Sequence, residues 1–185
     1  MRFASACAIA LVAAFGAACD STTSPSTTTS TFSGTFTGQM IVTTSTGSIV
    51  CLSTRTLNGS LTLTLRLPTS GSSVTGTATT TGTLAETAVS PAGICATFQG
   101  TTSLNGSRSV TGTTSNLTFT STSTATSATG VGGGSVTCTD TIGFTGVLAG
   151  SAVTGTLVYT TACQGNNGVT TITGAGTTAI PVALR

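Results

Sequence analysis

A chain with no histidine, no lysine and no tryptophan has little with which to do chemistry. Catalysis needs positioned groups that give or take protons. Without His, the Ser-His-Asp and Cys-His arrangements are excluded. Without Lys, Ser-Lys catalysis and Schiff bases go too. Glu86 and Asp140 are the carboxylate side chains beyond the N-terminal stretch, and a glycosidase-type pair would need both in one cleft. Glu86 falls in LAETAVSPAG, which reads as a loop, while Asp140 sits two residues from Cys138 on a strand. Two solvated surface carboxylates are therefore expected, and no enzyme. Arg55, Arg66 and Arg108 read as solubilising charges on Thr-rich strands rather than as an anion site. The cysteines lack CxxC spacing, so disulfides are expected in place of zinc, and no cofactor. With a formal net charge of +2, the chain has no electrostatic footprint for nucleic acid.

The N-terminus says where the protein goes. Arg2 is the only charge before an apolar run from Phe3 to Ala18. That run is shorter than the ~20 residues a spanning helix needs. A positive start, a short apolar core and small residues at its end make a signal peptide over residues 1–18. Its end, Gly16-Ala17-Ala18-Cys19, resembles the lipobox of bacterial lipoproteins, with Gly16 where that family usually has an aliphatic residue. The resemblance implies that Cys19 carries diacylglycerol and palmitate and becomes the first mature residue. Cysteine parity agrees, because Cys7 leaves with the signal and Cys51, Cys95, Cys138 and Cys163 form an even set. The expected location is the bacterial cell envelope, anchored by lipid in the outer rather than the inner membrane. In enteric bacteria Asp20 after the Cys would instead imply inner-membrane retention. A soluble periplasmic or secreted protein is the alternative.

Residues 19–31 are Ser/Thr-rich without apolar periodicity and read as the linker. Residues 32–185 suit one domain. About a quarter of the chain is Thr, which is β-branched and fits a pleated surface better than a helix. An all-β fold follows, an antiparallel meander of about eight to ten strands closed as a barrel or packed as a two-sheet sandwich. Strands are expected near 32–44, 47–57, 60–67, 94–103, 108–123 and 168–184, with Val74 starting another. Gly130–Gly134 is expected as a loop.

One hairpin can be specified residue by residue. With Gly150-Ser151 as a two-residue loop, Leu148 faces Val153, Phe144 faces Leu157 and Ile142 faces Tyr159, while the threonines fall on the other face. A one-residue slip would scramble that sorting. The same register sets Cys138 opposite Cys163, a spacing at the short end of what a disulfide allows, and leaves Cys51–Cys95 by elimination. Cys95 and Cys138 are each followed by Gly at +5 and by Val-Thr-Gly-Thr at +15, which suggests a repeated two-strand unit with Asn105-Gly106 as a turn.

The strand succession is weakly similar to lipocalin-like up-and-down barrels, although their N-terminal Gly-x-Trp is absent. These readings lead to a lipid-anchored envelope protein of structural or display type, with no nucleic-acid partner and an envelope partner left unknown. Its first alternative is a binding module that holds a small apolar ligand among Leu61, Leu63, Ile142, Phe144, Leu157 and Tyr159. The second alternative is a surface of Thr ladders, such as Thr77-Ala78-Thr79 and Thr118-Phe119-Thr120, that binds carbohydrate or ice.

Overall fold

Alternating apolar and Thr positions, repeated through nearly the whole chain, produce strands with one buried and one wet face. The computed structural model describes residues 26–69, 73–91, 101–128, 134–166 and 170–185. The signal, Cys19, most of the linker, Cys95 and most of the glycine cluster lie outside the described residues. The strands are β1 (Thr27–Thr46), β2 (Ile49–Pro68), β3 (Ser73–Ser90), β4 (Thr101–Ser103), β5 (Gly106–Thr113), β6 (Asn116–Ala128), β7 (Ser135–Ala149), β8 (Ala152–Asn166) and β9 (Thr171–Leu184). Each long strand pairs antiparallel with the next, and β9 returns to β1, so eight strands close a barrel and β4 is an extra piece on β3. Closure removes most of the sheet edges that a sandwich would leave. The ring closes in one register, with Thr43 opposite Ala175 and Ser33 exchanging backbone hydrogen bonds with Arg185.

The β7–β8 hairpin forms as its sequence pattern requires. Leu148 pairs with Val153, Phe144 with Leu157 and Ile142 with Tyr159, and Gly150 turns with φ 61°. Cys138 and Cys163 are paired and disulfide-bonded, with Cα atoms 4.0 Å apart. Cys51 is also disulfide-bonded.

Four boundaries differ from the sequence reading. β1 starts at Thr27, inside the stretch read as linker. Residues 47–57 and 60–67 merge into β2, because Asn58-Gly59 continues the ladder with β1 instead of turning. The strand expected over 108–123 is two, β5 and β6, joined by a turn at Thr114-Ser115. Asn105-Gly106 makes no hairpin. β4 and β5 both lie along β3 in one continuous register, Thr83 with Ser103 and Thr80 with Gly106, so they are a single strand interrupted at Leu104-Asn105. The interruption is held by local bonds: Gly82 N donates to Asn105 Oδ1 at 2.9 Å and Leu104 N to Gly82 O at 2.9 Å. The proposed repeat fails for the same reason. Val74 and Val153 begin strands, whereas Val110 lies near the end of one running the other way.

Inside, the barrel divides along its axis. Towards the end that carries the described chain termini it is filled by Phe32, Leu63, Leu65, Val74, Val110 and Leu184, with other apolar side chains of the same cluster. An eight-strand barrel is just narrow enough to be filled this way. Phe119 and Phe144 stack there at 5.6 Å, and the Phe144 ring covers Gly146 and Gly155, where a Cβ would come within 2.4 and 2.8 Å of it. The other half of the interior mixes buried Met40, Val42 and Leu84 with charged and hydroxyl side chains.

Candidate functional site

The mixed half exists because charged residues sit at inward positions of the two-residue alternation. Asp140 shares the inward face of β7 with buried Ile142 and Phe144, and Arg108 that of β5 with buried Val110. Arg55 and Glu86 likewise share inward faces with buried Leu57 and Leu84. This corrects the sequence reading. Glu86 lies in β3 instead of a loop, and both carboxylates are half-buried inside the barrel instead of solvated on its surface. Of the three arginines read as edge charges, only Arg66 points outward and is exposed. The outer face of β6 is instead coated with hydroxyls. The outward positions of β6 are Thr118, Thr120, Thr122, Thr124 and Thr126, and Thr122 and Thr126 hydrogen-bond across to Thr141 and Thr137 of β7 at 3.2 and 2.9 Å.

Two groups of charges result. In the first, a register shift between Thr54 and Arg55 sets Arg55 opposite Glu86. The Ser53 hydroxyl donates to the Glu86 carboxylate, and Arg55 Nε donates to Ser53 Oγ at 3.4 Å. Ser53 is buried, as a hydroxyl bonded on both sides can be.

The second group lines an opening in the barrel wall. β5 and β6 pair only at Thr111–Thr113 with Asn116–Thr118, then part. Between them lies a cleft of about 290 Å³. One wall is Leu104, Asn105 and Arg108 of the interrupted strand, the other is Ser121 and Ser123 of β6, and Asp140, Ile142 and Tyr159 lie deeper. Arg108 is held by Nη1, which donates to Thr80 Oγ1 at 2.5 Å and to Gly106 O at 3.3 Å. Thr80 is fully buried and donates to Leu104 O at 2.6 Å, tying the strand interruption to the arginine. Arg108 Nε is buried without a hydrogen-bond partner. Desolvation lowers the pKa of this guanidinium from its ordinary value, yet an arginine stays charged.

Tyr159 is 2 % exposed, and its hydroxyl is buried without a partner. Burial pushes its pKa well above the usual phenol value; the Asp140 carboxylate pushes the same way, and Arg55 acts against it. Asp140 is thus close enough to disfavour the phenolate, although the geometry does not close a hydrogen bond between them. Arg108 and Asp140 line the same cleft and form no ion pair with each other. Among the described residues no cluster of three or more His, Cys, Asp or Glu converges as metal ligands would.

The six side chains expected to line an apolar pocket divide. Leu61, Leu63, Phe144 and Leu157 are packed in the core and do not touch the cleft, while Ile142 and Tyr159 belong to both. Sequence reasoning missed Arg108 and Asp140 as site residues. The signal was parity, since each sits two residues from a buried strand residue. The cleft is polar, whereas the ligand-binding alternative had an apolar pocket, and its hydroxyls, guanidinium and carboxylate can hold a small polar solute. No protein-family model, curated protein or solved structure matches the chain.

Proposed function

We propose that this is an exported, lipid-anchored envelope protein whose barrel is a non-catalytic binding module for a small polar solute. The observation that supports it best is the buried Tyr159 hydroxyl left without an acceptor beside a cleft that also holds an unjoined arginine and aspartate. Such groups are rare in folded proteins and carry a desolvation cost unless something pairs with them. The anchor is Cys19, as its lipobox-like context implies, and residues 1–18 are the signal. The strand start at Thr27, exposed Arg66 and Arg185 share one end of the barrel. That end would face the membrane, where each arginine adds about 1 kcal/mol of attraction to anionic lipid. Met40, paired with Arg55, lies about 40 Å further along β1 at ~3.3 Å per residue, so the half of the barrel that carries the interior charges points away from the lipid.

Two experiments test this. Labelled palmitate should be incorporated by the wild type and lost in Cys19→Ala; label that persists in the variant refutes the anchor. Binding is read by the intrinsic fluorescence of Tyr159, the only tyrosine in a chain without tryptophan. A signal that no polar solute perturbs refutes the binding module. We also assign the second disulfide to Cys51–Cys95, which peptide mapping of the non-reduced protein would overturn by showing any other partner for Cys51. The Thr coat favours a second reading. The five outward threonines of β6 form a hydroxyl–methyl ladder with Thr137, Thr139, Thr141 and Thr145 of β7, suited to display or to a carbohydrate or ice lattice. Retention on polysaccharide or inhibition of ice recrystallisation, lost in Thr122→Tyr with Thr124→Tyr, would support that reading, and absence of both would end it.

A further inference from the structure

The three groups on the cleft wall differ in what they can recognise. Arg108 makes both its hydrogen bonds through Nη1, and its Nε is buried, which leaves Nη2 as the guanidinium nitrogen not engaged by the protein. A guanidinium N–H of this kind donates a charge-assisted hydrogen bond to a carboxylate. The guanidinium lies over Gly106, where a Cβ would come within 3.1 Å of Nη2. The position therefore keeps room beside the guanidinium that any other residue would fill.

Asp140 presents the opposite charge in the same cleft, half-buried and in no ion pair with Arg108. A cation and an anion held apart in a partly dry site favour a molecule that carries the complementary pair itself. A dicarboxylate would set one carboxylate against Asp140. A simple amine would face Arg108. A neutral sugar would leave both charges desolvated and unmatched. The cleft volume of about 290 Å³, at ~30 Å³ per water, is room for about ten non-hydrogen atoms, the size of a free amino acid.

We infer that the cleft between β5 and β6 binds a small zwitterion of the free amino-acid class, its carboxylate on the Arg108 guanidinium and its ammonium on Asp140. The inference rests on the binding-module reading and names its ligand. The Tyr159 hydroxyl, which lines the same cleft near Asp140, supplies a hydrogen bond to the bound molecule. The Ser121 and Ser123 wall has no charge and leaves the side chain of the amino acid loosely read.

The test uses the purified full chain in detergent, with Tyr159 fluorescence and calorimetry as readouts. The probes are free amino acids, their amides and N-acetyl derivatives, and neutral monosaccharides. At least one free amino acid should bind saturably, and its amide and its N-acetyl derivative should each bind about tenfold or more weakly, as loss of one charged hydrogen-bonded contact requires. Arg108→Met, which removes the charge, and Asp140→Asn should each weaken it by a similar factor. Circular dichroism checks that both variants fold; if one does not, the other variant and the two derivatives still decide. Binding of a monosaccharide with no response to any amino acid would overturn the zwitterion and leave the binding module standing. Equal binding of an amino acid and its amide would also overturn it. No response to any probe would remove both readings.

Discussion

Replacing Tyr159 with phenylalanine turns the site argument into a sign. In most buried tyrosines the hydroxyl is bonded, and its removal destabilises the fold. Here the hydroxyl is buried without a partner, so the protein carries the cost of desolvating it, about 1–3 kcal/mol. Phenylalanine keeps the ring, which packs with Ile142 and Leu157 in the core, and removes the oxygen. Tyr159→Phe should therefore be stabilising by about 1 kcal/mol, a rise in melting temperature of about 2–4 °C for a domain of this size. If Asp140 instead accepted the bond, losing a charge-assisted contact would cost about 1.5–3 kcal/mol, with the opposite sign. Alkaline pH gives an independent reading of the same atom. The phenol pKa is raised in the folded protein, first by burial and then by Asp140. Its protonated form is thus favoured by folding, and that contribution is intact below the unfolded value near 10. Above it the unfolded chain loses a proton that the folded one keeps, so stability falls by ~1.4 kcal/mol per pH unit until the folded pKa is reached. Tyr159→Phe should remove that slope. Urea melts at neutral and alkaline pH measure both effects. Tyrosinate absorbance follows the single phenol directly, and should appear with unfolding. Destabilisation of the variant by more than 1 kcal/mol at neutral pH, or tyrosinate forming near pH 10 in folded protein, would refute the reasoning.

Other consequences are simpler to state. Gly155→Ala places a Cβ 2.4 Å from Thr145 O and 2.8 Å from the Phe144 ring, and should cost about 1–3 kcal/mol in urea melts by overpacking; an unchanged midpoint would show that both the β7 backbone and the ring give way. Replacing Cys138 and Cys163 together by serine opens a link between residues 25 apart, which on the chain-entropy account should lower stability by about 3.5 kcal/mol. A loss under 1 kcal/mol would mean that the hairpin persists in the unfolded chain. Arg108→Met combined with Asp140→Leu should raise the melting temperature while abolishing amino-acid binding, because a half-buried, unpaired charge is replaced by apolar volume. A lower melting temperature would show instead that the two charges hold the wall in place.

The β7–β8 hairpin was legible to the residue because its two periods agree. Leu148, Phe144 and Ile142 alternate with Thr141 and Thr145 on one strand, and Val153, Leu157 and Tyr159 answer them on the other. Local chemistry misled where tertiary pairing decided the outcome. Asn105-Gly106 has the composition of a hairpin turn, but β3 offers a continuous ladder on both sides, and the Asn side chain is used to bridge the interruption. Glu86 looked like a loop residue because Pro91 and Ala/Ser neighbours surround it, while its pairing with Arg55 keeps β3 extended. The site was obscured by a sound prior. Isolated charges in Thr-rich strands usually face water, and only the parity of Arg108 with Val110 and of Asp140 with Ile142 could have shown that these face inward.

The interior charges and the parted strands explain one another. If the β5–β6 ladder continued in its register beyond Thr111 and Thr118, Arg108 would lie opposite Ser121 and Gly106 opposite Ser123. The guanidinium would then be sealed in a narrow interior with Asp140 and Tyr159. Drying a charge without a close partner costs several kcal/mol, more than the few weak ladder bonds that closure would add at ~1 kcal/mol each. Parting the strands leaves their edge amides in water, where they are satisfied, and lets the charges keep part of their hydration. The exposed edges carry Ser and Thr in place of apolar side chains, which limits their pairing with other chains. A sequence selected only to close a barrel would have put a leucine at residue 108. Retention of the charge, the opening beside it and Gly106 beneath it are three departures from an ideal barrel at one place, and departures that compensate locally are what the proposed binding site requires.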